Sequence, residues 1–236
     1  MTIGRAVLNG RKGRWLALGL LVIAASCATR VDPPQIEVEQ AVIQPDQQLF
    51  LCPRMTVSNA PSHDAETRQV AGYRPFTKVN DKVYLMTAPV KGACLSSAFG
   101  YRGAKLHKGL DFHSRPAVPI YAAGHGTVVE RSFRSGDFGN MIVVDHGHGV
   151  YTRYAHLASV SDCIQEGATV QPGSELGMMG ATGAAARAVH LHYEVLLGDL
   201  AKAGSSFLLD PIDPFTLDGA DGMVLSASVP AGNACS

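Results

Sequence analysis

From Cys94 onward the chain is cut into short apolar runs by glycine and proline, and this punctuation restricts the fold more than any other feature. Gly124-His125-Gly126 precedes the short β-branched run Thr127-Val128-Val129. Met141 to Asp145 is a second such run, His146-Gly147-His148-Gly149 supplies a turn, and Val150 to Leu157 returns, which is a hairpin by composition. Glu166-Gly167, Pro172-Gly173, Gly177 and Gly180 break up further segments, and His190 to Leu197 is one more strand, closed by Gly198-Asp199. No stretch in this half sustains a helical period, and no internal repeat is present. The expectation is an all-β, antiparallel sheet domain with a groove.

The rest of the chain reads as appendages to that domain. With 236 residues there is length for one proper core and little more. Lys+Arg and Asp+Glu both number 20, so nothing points to nucleic acid, which selects for an excess of basic charge. Residues 1–26 read as a signal peptide: Arg5, Arg11, Lys12 and Arg14 form a positive start, and the apolar run Trp15 to Ala25 ends in small residues. That run is shorter than the ~20 residues a membrane helix needs, which sets export against a retained anchor helix. Ala24-Ala25-Ser26-Cys27 resembles a bacterial lipobox, although Ala24 stands where Leu is usual. A lipid anchor at Cys27, and so a periplasmic, membrane-anchored lipoprotein, is expected; cleavage at nearby small residues is the alternative. Residues 27–48 read as a tether rich in Pro, Gln and acidic groups. Residues 49–93 are a segment of unassigned role, expected to pack on the main domain at 94–217, and 218–236 form a tail. Setting Cys27 aside leaves Cys52, Cys94, Cys163 and Cys235, an even set suited to two disulfides in an oxidising compartment. Position favours Cys52–Cys94 and Cys163–Cys235.

Three features organise the nine histidines: His107-Lys-Gly-Leu-Asp111, Tyr154-Ala-His156-Leu157 and His190-Leu-His192. On a strand, residues two apart share a face, so His190 and His192 point the same way. His107 and Asp111 would lie about 13 Å apart on a straight strand, too far for one ion, so the chain must bend between them, and Gly109 permits it. Catalytic zinc typically takes three protein ligands and keeps one position for water. Histidine and aspartate suit it, and the surplus imidazoles leave acid/base partners.

The blocks SAFGYR, HKGLDF, YAAGHGTVV, GNMIVVDHGHGVYTRYAHL, GATVQPGSELGMMGATG and HLHYEV run in order from about Cys94 to Phe215. Together they resemble the M23, or LytM/lysostaphin-like, zinc metallopeptidases, whose domain is of the duplicated-hybrid-motif type. The resemblance implies one Zn²⁺ per chain held by His107, Asp111 and His192. It implies His156 and His190 as catalytic histidines, with Tyr101 a further contributor at the oxyanion. It also implies a peptidoglycan endopeptidase that cuts peptide stems or cross-links, and leaves any protein regulator unknown. Two other readings stand beside it: a catalytically silent LytM-type module that activates another cell-wall hydrolase, and a metallopeptidase acting on exported proteins.

This sequence departs from the family pattern in two places. Ala184 to Val189 replaces a Gly-Pro pair before HLH, and Ala117-Val118-Pro119 alters another loop; both bear on substrate fit rather than on the metal. His146-Gly-His148 lies in a turn and reads as a surface or supporting pair, not as ligands. His113 could share the face of Asp111, while His63 and His125 read as ordinary. After an export signal, Cys94 and Cys163 read as half-cystines rather than metal ligands.

Overall fold

The structure is a computed structural model and describes residues 43–220, 222 and 223. The expected signal peptide, Cys27, most of the tether, and Cys235 with the end of the tail lie outside the described residues.

The described residues form sixteen strands. In chain order they are β1 (Phe76–Lys78), β2 (Tyr84–Met86), β3 (Cys94–Ser97), β4 (Gly100–Arg102), β5 (Lys105–His107), β6 (Leu110–His113), β7 (Pro119–Tyr121) and β8 (Gly126–Ser135). They continue with β9 (Gly139–Asp145), β10 (Val150–Ala155), β11 (Ser159–Val160), β12 (Thr169–Val170), β13 (Glu175–Met178), β14 (Leu191–Leu197), β15 (Asp210–Ile212) and β16 (Asp218–Gly219). Among the described residues, helix is confined to one turn, α1 (Leu200–Ala203), and two 3₁₀ turns at Ser206–Leu208 and Pro214–Thr216. The all-β, antiparallel fold expected from the punctuation is what the chain adopts. The hairpin read from Met141 to Leu157 is β9–β10, turned at residues 146–149.

The main sheet runs β12-β8-β9-β10-β14-β6-β3, with β15 paired to the second half of β14. Period-2 alternation divides its residues between two faces. Leu110, Phe112, Ile142, Val144, Tyr154, Leu191, Tyr193 and Val195 enter the large core. The opposite face carries a smaller apolar cluster of Val143, Tyr151, Leu196 and Leu209. Asp111, Arg153, His192 and Glu194, which alternate with the core residues, share that second face. The chemistry therefore sits on the face of the sheet turned away from its main core.

Residues 49–93 contribute Leu49, Leu51, Val70, Phe76 and Leu85 to the same core. Each buried leucine there contributes roughly 1.5–3 kcal/mol. The first part of this segment lies along the outer edge of β3: Leu51 bridges Leu95 in parallel, Cys52 N–H donates to Leu95 O (2.9 Å), and Leu95 N–H donates to Phe50 O (2.8 Å). A Cys52–Cys94 disulfide, the expected pairing, fastens the same edge. Cys163 is also a half-cystine. At the other end of the chain β16 pairs with β1, so residues placed in the tail close a small sheet with the N-terminal segment.

Candidate metal centre

Asp111 on β6 and His192 on β14 face each other in register. His107 is the last residue of β5, and Lys108-Gly109 swing the chain into β6. That bend is how a pair four residues apart converges on one point. Gly109 matters here for space: a Cβ would be driven into the carbonyl of Tyr193 on the neighbouring strand. His107 Nε2, Asp111 Oδ1 and His192 Nδ1 then come together, at 3.0 Å from His107 to Asp111, 3.0 Å from His107 to His192 and 2.8 Å from His192 to Asp111. Two ligands each 2.0–2.1 Å from a tetrahedral ion would be about 3.3 Å apart. The donor set and its spacing therefore fit a divalent metal, and the three side chains form a group that could hold one.

The remaining ring nitrogens are all occupied, which fixes the tautomers. His107 Nδ1–H donates to Ala98 O (2.6 Å), leaving Nε2 bare. His192 Nε2–H donates to Glu194 Oε1 (3.0 Å), which turns Nδ1 toward Asp111 and His107. Carboxylate and carbonyl partners of this kind orient metal-ligating histidines and raise their basicity. Glu194 is wholly buried and pairs with Arg153, its cross-strand neighbour. The Arg153 guanidinium lies 4.9 Å from the Phe138 ring centre and 4.7 Å from that of Phe207, and its Nη2 donates to Ser206 Oγ (3.1 Å). Sequence reasoning missed Glu194, Arg153 and Phe138. Alternation held the signal for Glu194, since the residue two beyond His192 must share its face.

The electrostatics follow from this packing. Burial pushes the Asp111 carboxyl up, but hydrogen bonds and charge from His107 and His192 overcome it and hold the group well below the usual carboxylate range. Burial disfavours the charged His192, yet its bonds to Asp111 and Glu194 prevail and raise it to about 9. Glu194 is lowered in the same way, burial being outweighed first by the His192 hydrogen bond and then by charge from His192 and Arg153.

The structure brings His156 and His190 to the same cleft, with ring centres 4.6 Å apart. His156 follows the last residue of β10, where alternation would turn its side chain toward the core; a left-handed φ of 64° re-aims it. Its Nδ1–H donates to Thr182 O (2.8 Å) and that of His190 to Ala188 O (2.8 Å), so each keeps Nε2 free of these bonds. His190 Nε2 lies 3.8 Å from Asp111 Oδ1. Burial, then the charge of His190, lowers His156 to about 4, and burial lowers His190 as well. Both rings are thus neutral near pH 7.

The cleft has a volume of about 700 Å³. Exposed Arg102, Lys105, Lys108 and Arg187 stand on its walls with one exposed carboxylate, Asp137. Arg102 also approaches Asp111 Oδ2 at 3.6 Å. The loop that replaces the family's Gly-Pro pair borders the cleft through Ala184, Ala185, Ala188 and Val189, whereas Ala117-Val118-Pro119 does not. His113 lines the cleft and donates from Nδ1 to Val189 O (2.6 Å). Tyr101, on β4, is 71% exposed and is not among the lining residues. His146 lies away from the cleft: its Nδ1–H donates to His125 O (2.6 Å) and its Nε2 faces Thr152 Oγ1 (2.7 Å), and burial lowers it to about 4. It braces the β9–β10 hairpin, as its place in a turn implied.

An antiparallel sheet thus carries, on the floor of a cleft, a His/Asp/His group that could hold a metal ion, flanked by two neutral histidines. Residues 105–203 match the sequence profile of Peptidase family M23. It is 36% identical over 106 residues to the DD-carboxypeptidase/endopeptidase Mpg of Neisseria meningitidis serogroup B, covering 42% of this chain and 24% of that protein. It is 36% identical over 98 residues to the peptidoglycan DD-endopeptidase ShyC of Vibrio cholerae, covering 42% of this chain and 22% of that protein. The chain thus spans about a quarter of the length of these relatives. Among solved structures it is similar to the catalytic domain of the antimicrobial peptidase lysostaphin from Staphylococcus simulans, with 26% identity, a TM-score of 0.42, and coverage of 50% of this chain and 86% of that one.

Proposed function

We propose that the chain is an exported zinc-dependent endopeptidase that cuts peptide stems or cross-links of bacterial peptidoglycan. His107, Asp111 and His192 are the zinc ligands, and His156 and His190 the catalytic histidines. The observation that carries this reading is the convergence of three donor atoms within 2.8–3.0 Å, with both imidazole tautomers set by outer partners. Zinc bound there would polarise a carbonyl and lower the pKa of its water toward ~7. The chain's own groups do the rest. A neutral imidazole with Nδ1–H anchored offers Nε2 as a base, so His156 or His190 can take a proton from water beside the scissile carbonyl and return it to the departing amine. Once protonated, the same ring can donate a hydrogen bond to the oxygen on which negative charge develops.

The substrate class rests on the family and on the relatives whose names specify peptidoglycan. The cationic walls agree with it, because Arg102, Lys105, Lys108 and Arg187 suit the free carboxylates of a wall peptide. A lipid anchor at Cys27 would hold the enzyme in the periplasm within reach of the wall. Tyr101, on the exposed β4–β5 hairpin, would contribute at the oxyanion only if that hairpin closes over bound substrate.

Digestion of purified peptidoglycan followed by mass analysis of the products tests the reading. Peptide fragments with new amino termini should be released, lost with chelator and recovered with zinc. Products unaffected by chelator would exclude the metal role, and intact peptidoglycan would exclude the hydrolase.

A further inference from the structure

The carbonyl that orients His107 is itself held from outside the matched family stretch. Asn59 lies in the N-terminal segment, seven residues after Cys52. Its Nδ2–H donates to Ala98 O, and its Oδ1 accepts from Ala98 N–H (3.2 Å). One side-chain amide thus grips both polar groups of residue 98. The same Oδ1 accepts from Ser97 Oγ (3.0 Å), and Ser97 Oγ lies 3.4 Å from His107 Nδ1. Ala98 O therefore takes two donors, the Asn59 amide and the His107 Nδ1–H at 2.6 Å. Neither Asn59 nor Ala98 falls within residues 105–203.

We infer that Asn59 is a positioning residue for the metal ligand His107, and that the docked N-terminal segment is a working part of the metal site. The physical argument is orientational. A histidine ligand is aimed by the acceptor on its other nitrogen, and such outer partners typically change metal affinity 10–100-fold. Here the acceptor is a main-chain carbonyl at the exit of β3, where the ladder to β6 has already shifted register. With its N–H and C=O both engaged by Asn59, the carbonyl cannot turn away from His107. The turn Val57–Ala60 presents Asn59 (Ala60 N–H to Val57 O, 3.2 Å), and the edge bonds at Leu51 and Cys52, with the Cys52–Cys94 disulfide, hold the segment in place.

The inference rests on the zinc reading above, and its test separates the two. Zinc affinity of the full chain is measured by competition with a chromophoric chelator, alongside the thermal melting of the metal-free protein. Asn59→Ala and the isosteric Asn59→Asp, which replaces the donor to Ala98 O with an acceptor, should each weaken zinc binding at least tenfold. The metal-free melting temperature should stay near that of the wild type. Unchanged affinity in a folded variant overturns the inference and leaves the zinc site standing. Failure of both metal-free variants to fold also overturns it, by making Asn59 a folding residue. A wild-type chain that takes up no zinc fails the functional reading itself.

Discussion

Each histidine of the cleft floor has one ring nitrogen anchored by an outer partner, a carboxylate for His192 and a main-chain carbonyl for His107, His156 and His190. For His192 that nitrogen is tied to a carboxylate, Glu194, which makes the ring more basic and a stronger ligand. For His156 and His190 it is tied to a neutral main-chain carbonyl, and burial keeps both rings uncharged. On the proposed reading the roles divide by convergence on Asp111 Oδ1, which His107 and His192 reach at 3.0 and 2.8 Å and His190 approaches only to 3.8 Å, and this predicts the mutants. His192→Ala should abolish stoichiometric zinc. His156→Ala and His190→Ala should retain zinc and lose about 10²-fold or more in kcat/KM, the scale of removing an acid/base or charge-stabilising group. Metal analysis beside turnover measurement checks this division, and loss of zinc from either of the latter two would make that residue a ligand.

Strands deliver these residues. β14 presents His192 and Glu194 on one face and buries Leu191, Tyr193 and Val195 on the other, while β10 sets Arg153 opposite Glu194. β6 sets Asp111 opposite His192. The step from β5 to β6 depends on Gly109, whose missing Cβ lets the turn press against the Tyr193 main chain. Its φ is not positive, so the demand is for room. Gly109→Ala should therefore force β5 and β6 away from β14, costing roughly 1–3 kcal/mol as an overpacked position. It should also weaken zinc binding, because His107 and Asp111 flank the displaced turn. Denaturant unfolding of the metal-free chain and a zinc titration measure the two effects; wild-type values in both would mean the turn tolerates a methyl group.

Across the whole molecule, residues 49–93 and the sheet share one core, and the Cys52–Cys94 disulfide spans a sequence separation of 42 residues. On the chain-entropy account a loop of that size contributes about 4 kcal/mol. The segment is also held by main-chain bonds to Leu95 and by buried Leu49, Leu51 and Val70. Cys52→Ser with Cys94→Ser should consequently lower the melting temperature by several degrees or more. The turnover of the folded fraction at room temperature should change far less. Scanning calorimetry and peptidoglycan digestion on the same preparation check both, and equal melting temperatures would show that the non-covalent contacts suffice.

The fold class was legible in the sequence because it depends on local pattern, whereas the grouping of His107 and Asp111 with His192 came from the family resemblance. Glycine and proline between short β-branched runs force antiparallel strands, and the paired His190 and His192 follow from period-2 alternation. Only the tertiary structure could decide what alternation does not govern. His156 stands one residue past β10, and a left-handed φ, not the strand period, turns it into the cleft. Arg153 lies 41 residues from Glu194, and Asn59 lies 39 from Ala98; nothing local announces either contact. Sequence fixes which side chains can share a face of one strand, whereas register between distant strands and the docking of a separate segment come from burial of a common core. The outer partners of His107 and His192 belong to that second kind.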